Sequence, residues 1–403
     1  MTSPRTALIA GASIAGPTLA YWLSRYGWDV VVVERAPAPR TAGQNIDVRG
    51  VGATVLERIG IRDAVAARRT GELGASFIGP NGEVAGVFPA DGSDVDGATA
   101  ELEILRGDLS DLLVEAGAGA VEHVYGDHVV EVEEHTAHAR VRLHSGGVRD
   151  VDVVVAADGL NSTTRDVLGL STRVHHIGLE STYFTIERAP EDDDYWRWYN
   201  PGRGRSVQLR PDPNGGIRAV LSELVPPAVA ATAVRRTRAE QVAHLRGAFA
   251  DAGWQTDRVL DGLDRADDLY YEHLGQVKAA RWSRGRAVLA GDAAHCASPL
   301  SGMGTTLALT GAYVLAGELA RHDDHTGAFA EYERIMRPFV ERAQKLPPFG
   351  PRLATPVSGF GVAAFAAVIK VISSPPLRRL GDRFASRPAN AVDLPDYRDL
   401  VRR

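Results

Sequence analysis

The sequence predicts an α/β fold in which a parallel, helix-covered sheet is interwoven with an antiparallel β domain and followed by C-terminal helices. Three observations carry that prediction. The opening ALIAGASIAGPTLAYWLSRYGWDVVVVERA, residues 7–36, reads as strand, glycine turn, amphipathic helix and second strand. Between residues 172 and 273 the texture changes to alternating segments, STYFTIE, YWRWY, RSVQLRP and GIRAVLSE, the period of half-buried antiparallel strands. The stretch AVLAGDAAHCASPLSGMGTTLAL, residues 287–309, is a strand that runs through small residues and glycines into a helix.

Each element follows in order. Leu19, Tyr21, Trp22, Leu23 and Tyr26 phase the first helix, Gly27 stops it, and Val30 to Val33 form the continuous apolar run of a strand covered on both faces. Pro37 and Pro39 end regularity before GQNIDVRGVGATVLERIGI resumes with a short strand and a helix. Residues 72–100 are expected to add strands to the antiparallel domain. Leu102 to Val114 reads as a helix with Leu105, Leu109, Leu112 and Leu113 on one face. Val129 to Val141 alternates as a hairpin, and Val151 to Ala157 is a buried strand ending in Asp158-Gly159. The antiparallel region holds one helix near Arg238 to Ala250. Beyond Gly291 the chain is helical through Arg342, irregular across Pro347, Pro348, Pro351 and Pro356, and ends in an apolar helix around Phe360 to Ile369. That helix is half the length a bilayer needs and is expected to pack over the active-site region.

Composition excludes several function classes. A net charge of -6 argues against nucleic acid as the main partner. One cysteine, Cys296, excludes an internal disulfide and a cysteine-based metal cage, which suits a cytoplasmic protein. Met1 to Pro4 lead at once into a strand, so no signal peptide is expected, and no membrane span or metal site is expected either.

Two glycine turns point to one cofactor. In GASIAG, Gly11 and Gly16 sit where a dinucleotide turn needs a tight bend and close helix packing, and Ser13, Ile14 and Ala15 lead into a helix start that can hold a pyrophosphate. Ser13 replaces the usual middle glycine. Glu34 ends the next strand at about the distance where an acid takes a ribose hydroxyl pair, with Arg35 beside it. FAD and NAD therefore fit this turn better than NADP. In GDAAHCASPLSGMG, Asp292 offers a carboxylate, while Pro299 and the Gly302-Met303-Gly304 turn bring bare backbone and unpaired amides against a planar ring, which favours FAD. In DGLNSTTR, Ser162 can cap the following helix and Arg165 can hold Asp158. His295 is expected to be a hydrogen-bonded supporting residue, with no catalytic role.

The order GASIAG, Glu34, Arg106, DGLNSTTR, GDAAHCASPLSGMG resembles the single-component FAD-dependent monooxygenases typified by para-hydroxybenzoate hydroxylase, especially the shorter members that hydroxylate tetracycline-like or aromatic polyketide compounds. The resemblance implies a Rossmann-like FAD-binding domain of the GR2 type in residues 1–71, 101–171 and 274–345, substrate-domain strands in 72–100 and 172–273, and a helical tail in 346–403. By it, Glu34 binds the adenosine ribose, Arg106 contacts the pyrophosphate and ribityl chain, Asp292 binds ribityl or pyrophosphate groups, and Asp158 serves FAD and a transient NADPH or NADH. Pro299 and Gly302 to Gly304 border the ring. Val129 joins the cofactor candidates, and Gln44, Asp47 and Arg49 fall in the segment that lines the flavin. Gly311 departs from the family, where many relatives carry an acid.

The implied reaction uses noncovalent FAD, NAD(P)H and O2 to hydroxylate an aromatic or polycyclic molecule through a flavin C4a-hydroperoxide. Epoxidation, Baeyer–Villiger insertion, reduction or desaturation on the same fold, and noncatalytic ligand sequestration, remain open on residues alone, as do a monomer and a homodimer. Tyr183, Trp196, Trp198, Gln208, Arg210 and Arg218 are the candidates for a substrate surface, with Trp196 and Trp198 on one side of their strand.

Overall fold

The computed structural model describes residues 4–39, 44–90, 102–226, 236–346, 350–374 and 392–402. A six-stranded sheet forms its centre, in the order Ser283–Arg284, Ala287–Leu289, Val153–Ala156, Thr6–Ala10, Asp29–Glu34 and Val121–Tyr125, all parallel except the first pair. The valine runs occupy its middle because both faces are covered. One face meets the helix Ala15–Arg25, against which packs the long helix Gly304–Arg321, whose residues from Thr306 to Leu319 are all buried. Strand order reverses at Thr6–Ala10, the switch point where a crevice opens at the carboxyl ends of the strands.

A seven-stranded sheet stands beside it, in the order Tyr270–Val277, Val174–Ile186, Ile217–Leu224, Arg205–Pro211, Trp196–Gly202, Gly74–Ile78 and Val84–Pro89. The pairing is antiparallel except between Trp196–Gly202 and Gly74–Ile78, which run parallel. Residues 74–89 thus join the strands of 174–277 across a long gap in sequence. Residues 91–101, the end of that expected insertion, lie outside the described residues. The outer face of this sheet carries a second core, in which Phe184, Val207 and Leu221 meet the helices Arg238–Phe249 and Thr256–Arg265. The second of these helices was not foreseen.

Three expectations are corrected. Leu102–Leu105 is a wholly buried strand paired with Asn45–Val48, and the helix begins only at Arg106. The apolar helix, Gly359–Ile372, does not cover the cavity: it lies across the edge strands of the seven-stranded sheet, with Phe365 edge-on to Phe77, which stacks on Trp198. The segment just before it, Ala354 and Thr355, reaches the cavity instead. Arg165 does not hold Asp158 but donates to the carbonyls of Ala293 and Leu160. No helix among the described residues is long and apolar enough to cross a membrane.

Candidate functional site

The crevice at the strand ends and the inner face of the seven-stranded sheet enclose one cavity of about 720 Å³, continuous along Ser13, Arg106, Asp158 and Asn161 with a smaller groove of about 170 Å³. Its shape follows from the turns that build it. Gly11 has a φ of +110°, and a Cβ there would stand 2.5 Å from the carbonyl oxygen of Ala157, so only glycine lets the loop lie against the neighbouring strand end. A Cβ on Gly16 would meet the Gly11 carbonyl at 1.9 Å, which is why helix and turn can close together. Ser110 pins the loop from below by donating to the carbonyls of Ala12 and Ser13.

The smaller groove carries the acidic end. Glu34 accepts from the amides of Ala12 and Ala36, each at 2.9 Å, and Arg35 contacts the Thr163 hydroxyl. Asp127 and His128 also line it, and no motif in the sequence marks them. Val129 lines neither space. Its side chain is buried in the central core, because alternation along its strand turns it inward.

At the junction stands Arg106, whose Nε donates to Ser13 Oγ at 3.1 Å. Burial works against its charge, but Tyr270, Asp292 and Glu272 outweigh that and hold the guanidinium above its ordinary pKa. Asp292 lies deep in the fold, yet its carboxylate opens into the cavity, and burial raises it against the pull of Arg106. Asp158 accepts from the Ser162 hydroxyl and from the Thr164 amide at 3.1 Å, and Ser162 caps the helix through the Arg165 amide at 2.9 Å.

Pro299, Gly302 and Gly304 border the larger cavity at the start of the Gly304–Arg321 helix. Met303 does not: its side chain is buried in the core and its amide donates to Ser301 Oγ at 3.1 Å. Arg49 is another correction. It is fully buried, bound to Asp47 at 2.7 Å, and its backbone is tied to the Thr306 hydroxyl, so it supports the wall from behind while Gln44 and Asp47 reach the cavity.

All six residues of the expected substrate surface line the cavity. Trp196 and Trp198 stand 5.1 Å apart between ring centres, and the Trp196 indole donates to Gln208 at 3.0 Å. Tyr183 donates to Glu272 at 2.9 Å. The arginines are less available than expected. Arg218 is taken by Asp212 and Asp268, and Arg210 by Glu72 and Glu103. Tyr270 and Glu272 were missed, although the alternation of YYEHLGQV places Tyr270, Glu272 and Leu274 on one face.

His295 sits behind the site, against Trp282 and Tyr332, and burial pushes its ring down to about 4, so it is neutral. Gly311 faces this same packing, with His295, Met336 and Tyr332 each 3.6 Å from where a Cβ would be.

The residues present fit an FAD. The Gln44 side-chain oxygen at the cavity is buried without a hydrogen-bond partner, and nothing stands within 4 Å of a Cβ placed on Gly304, leaving the helix start open to a ring. Arg106 and the Ser13 loop supply the cation and amides that a diphosphate needs.

Comparisons with known proteins agree. Residues 5–345 match the family described as "FAD binding domain". The chain is 34% identical to the FAD-dependent monooxygenase asL4 of Sarocladium schorii over 98% of both chains, and 36% identical to the flavin-dependent monooxygenase eupH of Phoma sp, also over 98% of both. Among solved structures it resembles the tetracycline destructase Tet(51), with a TM-score of 0.80 and 28% identity over 98% of this chain and 100% of that one.

Proposed function

Because this chain belongs to the FAD-binding-domain family of flavin-dependent monooxygenases, we propose that it hydroxylates an aromatic or polycyclic small molecule held between the Pro299–Gly304 turn and the wall of Trp196, Trp198 and Tyr183. The observation that carries this reading is a single cavity lined both by the Trp196–Trp198 pair and by the glycines at the start of the long helix. Bound FAD supplies hydride acceptance from NAD(P)H and activation of dioxygen.

The rest is the chain's part. Glu34 takes the ribose hydroxyls, while Ser13, Arg106 and the helix start beyond Ile14 hold the diphosphate. Asp292 and Asp158 orient the ribityl chain and neighbouring groups. The amides at Gly302 and Gly304 present positive dipoles to the electron-rich edge of the ring. The described residues of 72–90, 172–226 and 236–273 form the substrate side, and those of 4–39, 44–71, 102–171 and 274–345 the cofactor side. Trp196 and Trp198 stack on the substrate and exclude water from it. The names of relatives such as Tet(51) favour a polyketide-like substrate.

The test is aerobic turnover of the yellow protein with NADPH or NADH, aromatic polyketides and isotopically heavy dioxygen. One heavy oxygen atom in the product is expected. Reduced nicotinamide consumed only to hydrogen peroxide with every aromatic tried would contradict the reading.

A further inference from the structure

We propose that Glu72 and Glu103, bridged by Arg210 in the cavity wall, share one proton at neutral pH, and that this proton lets the site admit the ionised hydroxyl of a phenol or enol. The proposal rests on the aromatic-substrate reading and adds the ionisation state of the ligand.

Arg210 donates through Nε to Glu72 at 2.9 Å and through Nη2 to Glu103 at 2.5 Å, and Asn45 donates to Glu103 at 2.8 Å. Both carboxylates are out of solvent, with side chains 1% and 5% exposed. The charged groups facing them come from four segments. Glu72 precedes the strand Gly74–Ile78, Glu103 lies on Leu102–Leu105, Arg210 on Arg205–Pro211, and Asp47 on Asn45–Val48 with Arg49 just beyond it. Three carboxylates therefore face two guanidiniums.

An uncompensated buried charge costs more than taking up a proton. Burial holds both Glu72 and Glu103 above the usual carboxylate range, against the opposing pull of Arg210. The hydrogen bonds indicate where the proton resides. Glu103 is met by Asn45 and Arg210, whereas Glu72 Oε1 is a buried oxygen with no hydrogen-bond partner. A hydroxyl there removes an unsatisfied anionic oxygen. Asn45, whose Nδ2 donates to Glu103, leaves its Oδ1 as a buried acceptor without a partner at this wall.

Glu72 reaches the ligand through Arg210, so it is a positioning residue. The Arg210 guanidinium lies 4.2 Å from the centre of the Trp196 ring and lines the cavity. With the proton in place Arg210 has one anionic partner, and its remaining field faces the ligand. Once the proton leaves, two carboxylates claim it, the wall carries net negative charge, and an oxyanion is repelled.

The experiment has two readouts on the FAD-loaded protein. Infrared spectra of the wild type should show a neutral carboxylic acid band at pH 7 that is lost on alkalisation, and the band should be absent from Glu72→Gln and from Glu103→Gln, each of which leaves Arg210 with a single carboxylate. Binding of 2,4-dinitrophenol, which stays ionised throughout, should weaken roughly tenfold in wild type as that band disappears and hold steady in Glu72→Gln, which mimics the protonated form. No acid band sensitive to either substitution overturns the shared proton. Identical pH profiles in wild type and Glu72→Gln overturn its effect on the ligand. If no phenol binds at any pH, the aromatic-substrate reading fails, and the infrared band alone then decides the shared proton.

Discussion

Arg106 donates from Nε to the Oγ of Ser13 at 3.1 Å, joining the start of the helix Arg106–Ala116 to the glycine turn at the point where the two parts of the cavity meet. Its charge is compensated by Asp292 and Glu272, which arrive from distant segments. Replacing it with alanine removes a charged donor from the diphosphate position. Charge-assisted hydrogen bonds contribute about 1.5–3 kcal/mol, so FAD should bind roughly tenfold to hundredfold more weakly in Arg106→Ala. Flavin fluorescence titration of the apoprotein checks this, and unchanged affinity would contradict the role.

Trp198 lies between Trp196 and Phe77, and Phe77 is braced by Phe365 of the apolar helix. Trp198→Ala should raise the Kd for an aromatic substrate about tenfold, from the loss of stacking and buried area, while FAD content stays at the wild-type level. Phe365→Ala should do the same more weakly, because it acts only through Phe77. Equal loss of FAD in both variants would mean that this wall serves the cofactor.

His295 gives a pH dependence of stability. Burial lowers its ring to about 4 in the folded protein, against about 6.5 when unfolded. Between these values the unfolded chain binds a proton that the folded one does not, so stability falls as pH drops through that window. The loss amounts to about 3 kcal/mol by pH 4. Urea unfolding at pH 7 and pH 4.5 should show a smaller difference in His295→Gln than in wild type.

The segment 392–402 is fastened to the long helix by Tyr397, which is fully buried and hydrogen-bonded to Glu318. A Cβ on Gly317 would stand 2.2 Å from the Tyr397 ring. Tyr397→Ala should therefore cost about 3–5 kcal/mol, and Gly317→Ala should also destabilise by forcing the ring out. Thermal unfolding of both variants measures it; a melting temperature unchanged in Gly317→Ala would contradict the close approach.

Much of the site was legible because its residues sit on regular elements next to punctuation. The Val30 to Val33 run and the Gly11 turn fix the first strand ends, and alternation alone puts Trp196 and Trp198 on one face. What escaped the sequence depends on pairing across long separations. Leu102–Leu105 reads as the start of a helix until Asn45–Val48 is known to pair with it. Glu72 and Glu103 look like surface acids until Arg210, more than a hundred residues away, draws them inside. Val129 and Met303 show the converse: both stand beside cavity residues in sequence, but their side chains are buried in the core.

Where the flavin ring lies decides the site's chemistry, and a crystal structure of the FAD-loaded protein measures that most directly. It should place the adenosine at Glu34, the diphosphate between Ser13 and Arg106, and the ring against Pro299 to Gly304 with one face open toward Trp196 and Trp198. A ring bound elsewhere, or one whose face is closed off from the two tryptophans, would contradict it.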